Sequence, residues 1–194
     1  MEILNQPEAV VAKLARLGCR HTAYPGNPKE IVLENLDDVK RLAARLNAAG
    51  KVLHDAGQVL SYHNHHLEFR RYGGRLMLEV LFEESDPRYL GATIDTYWVQ
   101  YGGGDTVDWC RRLAGRLPIL HLKDYMVTNE NKHDMAEVGV GNLNWPAIIA
   151  AADQSGCEWY VVEQDYCAGD PFDSLRISFE YIRDNLVPSQ RQTA

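Results

Sequence analysis

Four short segments of the chain end alike: SYHNH at 61–65, TID at 93–95, LHLKD at 120–124 and VVEQD at 161–165. Each follows an apolar run with imidazole or carboxylate groups. Together they supply His63, His65, Asp95, His121, Lys123, Asp124, Glu163 and Asp165. Imidazole nitrogens and carboxylate oxygens brought to one place are what a single divalent cation such as Mn²⁺, Zn²⁺, Co²⁺ or Mg²⁺ requires. Taken singly, each residue has an ordinary explanation. An Asp ending a strand caps the turn or helix beyond it, and a His there hydrogen-bonds. Four ends of one chemistry are harder to assign to four separate accidents, provided the fold brings them together.

The intervening sequence predicts such a fold. EAVVAKLARL at 8–17 carries its apolar residues at helical spacing, with Gly18 placed to end the helix. CRHTAY at 19–24 reads as a short strand, broken by PGNP at 25–28. Asn35 offers an N-cap to a long helix toward Gly57, interrupted in pattern only by Gly50. QVLSYHNH at 58–65 reads as a strand, and LEFRRYGGRLML as a hairpin or loop turning at Gly73-Gly74, with a helix around 77–84. YLGATID at 89–95 is a strand, Gly102-Gly103-Gly104 a flexible loop, and VDWCRRLAGRL at 107–117 a helix. PILHLKD at 118–124 is a strand. WPAIIAAADQSG at 145–156 is a helix with Pro146 in its first turn, EWYVVEQD at 158–165 a strand, and 173–186 a closing helix. Strands alternating with helices predict an α/β parallel sheet of βα units, in which the carboxyl ends of the strands carry the chemistry.

Composition narrows the function. With 194 residues, 45% of them hydrophobic, the chain can bury one core as a single domain. A net charge of −7 argues against a nucleic-acid partner, and no apolar run approaches the ~18 residues that span a bilayer. The amphipathic start, with acids early, does not resemble a secretory signal. The four cysteines show no CxxC spacing, so a cytoplasmic protein with reduced thiols is expected.

The ordered set YHNHHLEF, IDTYWVQYGGGD, HLKD, VGVGNLNW and VVEQD resembles the xylose isomerase-like TIM barrels, the sugar phosphate isomerases/epimerases, over roughly residues 17–186. The resemblance implies one divalent metal held at the ends of the last four barrel strands, commonly by Glu, Asp, His and Glu. By motif, Asp95, His121 and Glu163 match the last three. The first position falls near His63, a departure from Glu that removes a carboxylate base. His63 is the preferred ligand, with His65 and Glu68 as alternatives.

The chemistry implied by the resemblance is isomerisation or epimerisation of a sugar or keto-sugar. A metal polarises a carbonyl and its neighbouring hydroxyl, and an enediolate forms when the intervening proton leaves. Glu163 would move that proton while touching the metal, and Lys123 or His65 would steady or protonate the oxyanion. The competing role for Lys123 is a salt bridge to Asp124 or Asp165. Trp98, beside Tyr97, suits the apolar face of a sugar, and Asp165 is a further substrate-binding candidate. Gly139 and Gly141 most simply form a turn, and His133 an exposed loop position. The same site suits a lyase or dehydratase of a keto-sugar or keto-inositol, in which the enediolate expels a substituent. A non-catalytic truncated barrel is the reading from another class.

A complete barrel of this kind takes ~250 residues, and only five strands are predicted here. By the resemblance they are the fourth to eighth, so the chain reads as a TIM-barrel-like sheet lacking its first three βα units. Exposed strand edges would then need covering, by further units or by a second chain, a homo-oligomer included.

Overall fold

The sheet is assembled one βα unit at a time. The computed structural model describes residues 2–26 and 32–187, so the PGNP break predicted at 25–28 falls partly outside the described residues. Helices α1 (Glu2–Asn5) and α2 (Pro7–Leu17) lead through Gly18 into β1 (His21–Tyr24). Asn35 then starts α3 (Leu36–Asp55) with a reciprocal capping box. Its side chain accepts from Asp38 N at 3.1 Å, and the Asp38 carboxylate accepts from Asn35 N at 3.2 Å. Such a cap is worth about 1 kcal/mol. Gly50 does not interrupt this helix. It is buried where a Cβ would run into the Tyr89 carbonyl, so glycine there serves close packing.

Strand β2 (Val59–His63) is succeeded by the predicted hairpin, β3 (Arg71–Tyr72) and β4 (Arg75–Leu76), turning at Gly73-Gly74 with φ of +58° and +85°. After it come α4 (Met77–Glu83), β5 (Gly91–Asp95), α5 (Thr96–Tyr101), α6 (Thr106–Arg112) and β6 (Ile119–Leu122). A second hairpin, β7 (Asp124–Val127) and β8 (His133–Ala136), precedes α7 (Trp145–Gln154), β9 (Trp159–Val162) and α8 (Pro171–Tyr181). The main sheet runs β1-β2-β5-β6-β9, parallel throughout.

This sheet is rolled, and one contact proves it. His21 Nε2 on edge strand β1 lies 3.5 Å from Glu158 Oε2, just before the opposite edge strand β9. Five flat strands spaced about 4.8 Å apart would separate the edges by about 19 Å, beyond the reach of these two side chains. The architecture is therefore a five-stranded half-barrel of TIM type. Leu60, Tyr62, Ala92, Ile94, Leu120 and Leu122 point outward and are 0–1% exposed beneath the helices. The inner face presents His63, Thr93, Asp95, Ile119, His121, Trp159 and Val161, as the registers Thr93↔Ile119, Asp95↔His121 and His121↔Val161 require. Strands β1 and β9 are paired on one side only, and Trp159 and Val161 are exposed on the open inner face. Phe172 and Phe179 of α8 are exposed as well.

Three expectations need correction. Residues 96–101, assigned no helix from sequence, form α5, which Asp95 caps. The helix expected over 107–117 stops at Arg112, and residues 113–116 turn the chain toward β6. Gly102 and Gly104 do not form a loose loop: a Cβ on either would stand 2.5 Å from the Phe69 ring, so the glycines let backbone close over an aromatic side chain.

The β7–β8 hairpin was also unforeseen, and buried Asp124 organises it. Its Oδ1 accepts from Tyr125 N (2.8 Å) and Leu143 N (3.1 Å). Its Oδ2 accepts from Gly139 N (2.9 Å), Gly141 N (3.1 Å) and Trp145 Nε1 (2.6 Å). The VGVGNLNW stretch is thus the wrapping of one carboxylate, and a Cβ on Gly141 would stand 2.5 Å from Asp124 Oδ1. His133 lies in β8, exposed, with its ring 5.4 Å from Tyr125.

The four cysteines are free thiols. No helix of the described residues is long and apolar enough to cross a membrane.

Candidate metal centre

The strand ends do converge. Asp95 and His121 are register partners on neighbouring strands, and His63 pairs with Thr93, two residues before Asp95 on the same face. One ligand atom from each of His63, Asp95 and His121 lies within 4.8 Å of the others. Glu163, one residue past β9, brings Oε2 to 3.7 Å from His121 Nδ1, while Asp95 Oδ2 is 3.8 Å from the same nitrogen. Ligand atoms around a cation with bonds of about 2.1 Å lie about 3–4 Å apart, so only small side-chain adjustments separate this arrangement from a coordination shell.

Asp95 explains how one residue serves both the ordinary role and the chemical one. Its Oδ1 accepts from Trp98 N at 3.0 Å and caps α5. Its Oδ2 faces the inner rim. The backbone is held by Asn64, whose Oδ1 accepts from Asp95 N at 3.0 Å and ties the ends of β2 and β5 together. Thr96 does the same for β6, donating from Oγ1 to Lys123 O at 2.7 Å and accepting from Lys123 N at 3.0 Å. Sequence reading missed both. The signal for Asn64 was its place between two histidines; Thr96 carried none.

Lys123 extends over the rim with its side chain fully buried. Its ammonium is 2.6 Å from Asp165 Oδ2 and 3.1 Å from Asp95 Oδ2, and it forms a close ion pair with Glu163. Of the two salt bridges weighed from sequence, that to Asp165 forms, whereas Asp124 is committed to the loop beneath it. Burial opposes the charge on Lys123, but the carboxylates of Asp95, Asp165 and Glu163 outweigh it and raise its pKa. Burial pushes Asp95 up to about 6 even beside this ammonium, which three carboxylates share. Burial likewise opposes ionisation of Glu163, yet His121 and the Lys123 ammonium beside it hold it at about 2. His63 is driven down to about 3, first by burial and then by His121, His65 and Lys123, and so presents a neutral imidazole.

The first-ligand alternatives separate clearly. Glu68 is fully buried, with Oε1 accepting from Tyr62 O–H at 2.8 Å and Oε2 from His65 N at 2.9 Å. Both oxygens serve the turn after β2, so Glu68 is not placed as a ligand. His65 is half-buried, with its ring 4.8 Å from His63 and 5.5 Å from Trp98, beside the cluster and outside it. His66 turns to pack against the rings of Trp98, tilted at 5.0 Å, and Tyr101, edge-on at 5.1 Å. Trp98 lies 5.4 Å from Lys123 Nζ and forms a wall of the rim. Tyr125 and His133, on the unforeseen hairpin, extend that wall through Tyr97 and Tyr101.

The residues present fit a divalent cation on two grounds. The buried His63 Nδ1 and His121 Nδ1 have no hydrogen-bond partner among the described residues. Asp95 Oδ2 and Glu163 Oε2 face Lys123 as ion pairs without hydrogen-bond alignment. The three carboxylates around Lys123 also leave two negative charges uncompensated, which a divalent cation would balance.

Comparison with known proteins places this geometry. A family model described as xylose isomerase-like TIM barrel matches residues 8–185. Two curated inosose dehydratases are similar in sequence. That of Geobacillus kaustophilus (strain HTA426) is 28% identical over 92% of this chain and 63% of its own length. That of Geobacillus thermodenitrificans (strain NG80-2) is 27% identical over 72% of this chain and 52% of its own length. A crystal structure of a sugar phosphate isomerase/epimerase from Parabacteroides distasonis ATCC 8503 superposes with a TM-score of 0.83 at 26% identity, covering 95% of this chain and 64% of that one. The chain thus spans between half and two thirds of the length of these relatives.

Proposed function

The chain belongs to the xylose isomerase-like TIM barrel family, and from that premise we propose that its rim holds one divalent metal and transfers a proton between adjacent carbons of a sugar or keto-sugar, as an isomerase or epimerase. The observation that carries this reading is the convergence of His63, Asp95 and His121, with Glu163 at their edge, on one place at the strand ends. His63, Asp95 and His121 would hold the metal, with Glu163 able to join them. A bound divalent cation supplies a Lewis acid that draws electron density from a carbonyl and the neighbouring hydroxyl.

The protein's own groups account for the proton. Glu163 is ionised at neutral pH, one-third exposed and directed at the rim, so it is placed to take a carbon-bound proton and return it to the next carbon. Loosening of its Lys123 contact would raise its basicity for that step. Lys123 stands beside it with a permanent positive charge and can donate to the oxyanion of the enediolate. As Glu163 accepts the proton its hold on Lys123 weakens, freeing the ammonium when negative charge appears on the substrate. His65, half-buried next to His63 and kept neutral by that burial, can hydrogen-bond the oxyanion. Trp98 offers a ring face to the apolar side of a sugar, and its buried Nε1 has no partner among the described residues. Asp165 positions Lys123 and, being half-exposed, can accept from a substrate hydroxyl.

A dehydratase acting on a keto-sugar or keto-inositol is the second reading, favoured by the names of the two curated relatives. It begins with the same proton abstraction and ends with loss of water, the proton taken by Glu163 passing to the leaving hydroxyl. Both readings are tested by incubating chelator-stripped, metal-reloaded protein with keto-sugars, an inosose included, in D₂O and monitoring carbon-bound protons by NMR. Exchange without loss of water supports the isomerase or epimerase, and an unsaturated product the dehydratase. Glu163→Gln should slow either about 100-fold or more. Exchange by no metal-loaded sample, with any substrate, would sink both.

A further inference from the structure

We propose that the centre is biased toward borderline transition metals (Zn²⁺, Co²⁺, Fe²⁺) and away from Mg²⁺ and Mn²⁺, with His63 as the residue that sets the bias. The inference rests on the metal centre proposed above and deepens it. The three ligand atoms gathered within 4.8 Å come from two imidazoles and one carboxylate. The next carboxylate, Glu163, is engaged by Lys123 in a close ion pair, and Asp165 is hydrogen-bonded to the same ammonium at 2.6 Å. A metal entering the site therefore meets two nitrogens and one carboxylate, Asp95, whose Oδ2 it would share with Lys123 at 3.1 Å. Hard cations favour all-oxygen surroundings and bind largely by charge, whereas imidazole suits zinc, cobalt and iron.

His63 cannot readily withdraw from this set. It is the last residue of β2, so the strand's alternation turns its side chain to the inner face. The residue is 8% exposed, with its ring packed between those of His121 (4.6 Å) and His65 (4.8 Å). Its Nδ1 is buried without a partner among the described residues, although a buried polar atom ordinarily has one. Glu68, the carboxylate alternative to His63, has both oxygens occupied by Tyr62 and the His65 backbone.

Zinc binds more tightly than manganese at almost any nitrogen and oxygen site, so the wild-type order alone decides nothing. The readout is how the zinc-to-manganese affinity ratio changes on His63→Glu. Chelator-stripped wild type, His63→Glu and His63→Ala are titrated with Zn²⁺, Co²⁺, Mn²⁺ and Mg²⁺ in competition with a chromophoric chelator. Folding of each variant is checked by circular dichroism. His63→Glu should lower the ratio about tenfold or more and alter the ligand-field spectrum of the Co²⁺ form, while His63→Ala weakens every metal. A ratio and spectrum unchanged in His63→Glu would overturn the proposal.

Should His63→Glu fail to fold, electron-nuclear double resonance on Cu²⁺-loaded wild type counts coupled imidazoles directly. Two are expected, and one would overturn the assignment. Failure of wild type to bind any of the metals would overturn the centre itself, and with it the function proposed above. Binding without the shift in preference would overturn this inference alone.

Discussion

Replacing Lys123 by methionine tests whether an ammonium or a proton balances the buried carboxylate of Asp95. Breaking a buried ion pair by removing one partner ordinarily costs about 3–5 kcal/mol, but the site itself argues for less. Asp95 is 0% exposed and already pushed up to about 6 from an ordinary 3.8. At about 1.4 kcal/mol for each pH unit, keeping it ionised in the fold at pH 7 costs about 3 kcal/mol. Without the ammonium it can take a proton instead, which costs about 4 kcal/mol at pH 7 on the same scale. Protonation therefore caps the extra loss at about 1 kcal/mol. Glu163 and Asp165, 34% and 48% exposed, are screened by water and add little.

A carboxyl raised in the fold loses stability as pH rises through its folded value. In the wild type that fall ends near pH 6, and in Lys123→Met it continues upward. Urea unfolding of the chelator-stripped proteins should show almost no difference at pH 5, about 1 kcal/mol at pH 7 and about 3 kcal/mol at pH 8. A loss of several kcal/mol independent of pH would refute the reasoning, because it would mean that the ammonium bonds all three carboxylates at full strength. Equal stability at pH 8 would refute it from the other side.

Asp124→Asn should cost about 3–6 kcal/mol in urea unfolding, since even the better amide orientation sets its NH₂ against two N–H groups and loses two charge-assisted bonds of about 1.5–3 kcal/mol each. A loss below about 1 kcal/mol would show that the loop does not depend on the carboxylate. His63, held at about 3 by burial and its neighbours, contributes stability that is complete above pH 6.5 and lost as pH falls from there toward 3. The pH–stability curve of the metal-free protein should therefore be flatter in His63→Gln over that range. Phe172 and Phe179, 81% and 60% exposed on α8, predict concentration-dependent self-association in sedimentation. Phe172→Lys/Phe179→Lys should reduce it while changing stability by only about 0.5 kcal/mol per site; a wild type monomeric at every concentration would contradict the expectation.

Much of the fold was legible because its signals are local. The spacing of Val39, Leu42, Leu46 and Leu53 marks one face of α3, and Asn35 with Asp38 marks its start. Gly73-Gly74 marks the first hairpin, and the short apolar runs mark the five strands. The β7–β8 hairpin was not legible because its turn, Thr128–Asn131, carries no glycine, and its strands are held through Asp124 by groups 15 to 21 residues away. The same reach made Gly139 and Gly141 look like a bare turn.

For the centre, the sequence by itself determined which ligand types end each strand and, through the parallel alternation of βα units, that they share one rim. That much comes from period and order along the chain. Only the tertiary structure shows which of His63, His65 and Glu68 gathers with Asp95 and His121 and keeps lone pairs to spare: Tyr62 and the His65 backbone claim Glu68, while nothing among the described residues claims His63 Nδ1. It also decided that Lys123 answers Asp95, Glu163 and Asp165 together and not its neighbour Asp124. Hydrogen bonds and burial depend on the positions of groups distant in sequence, and those positions exist only once the sheet has rolled.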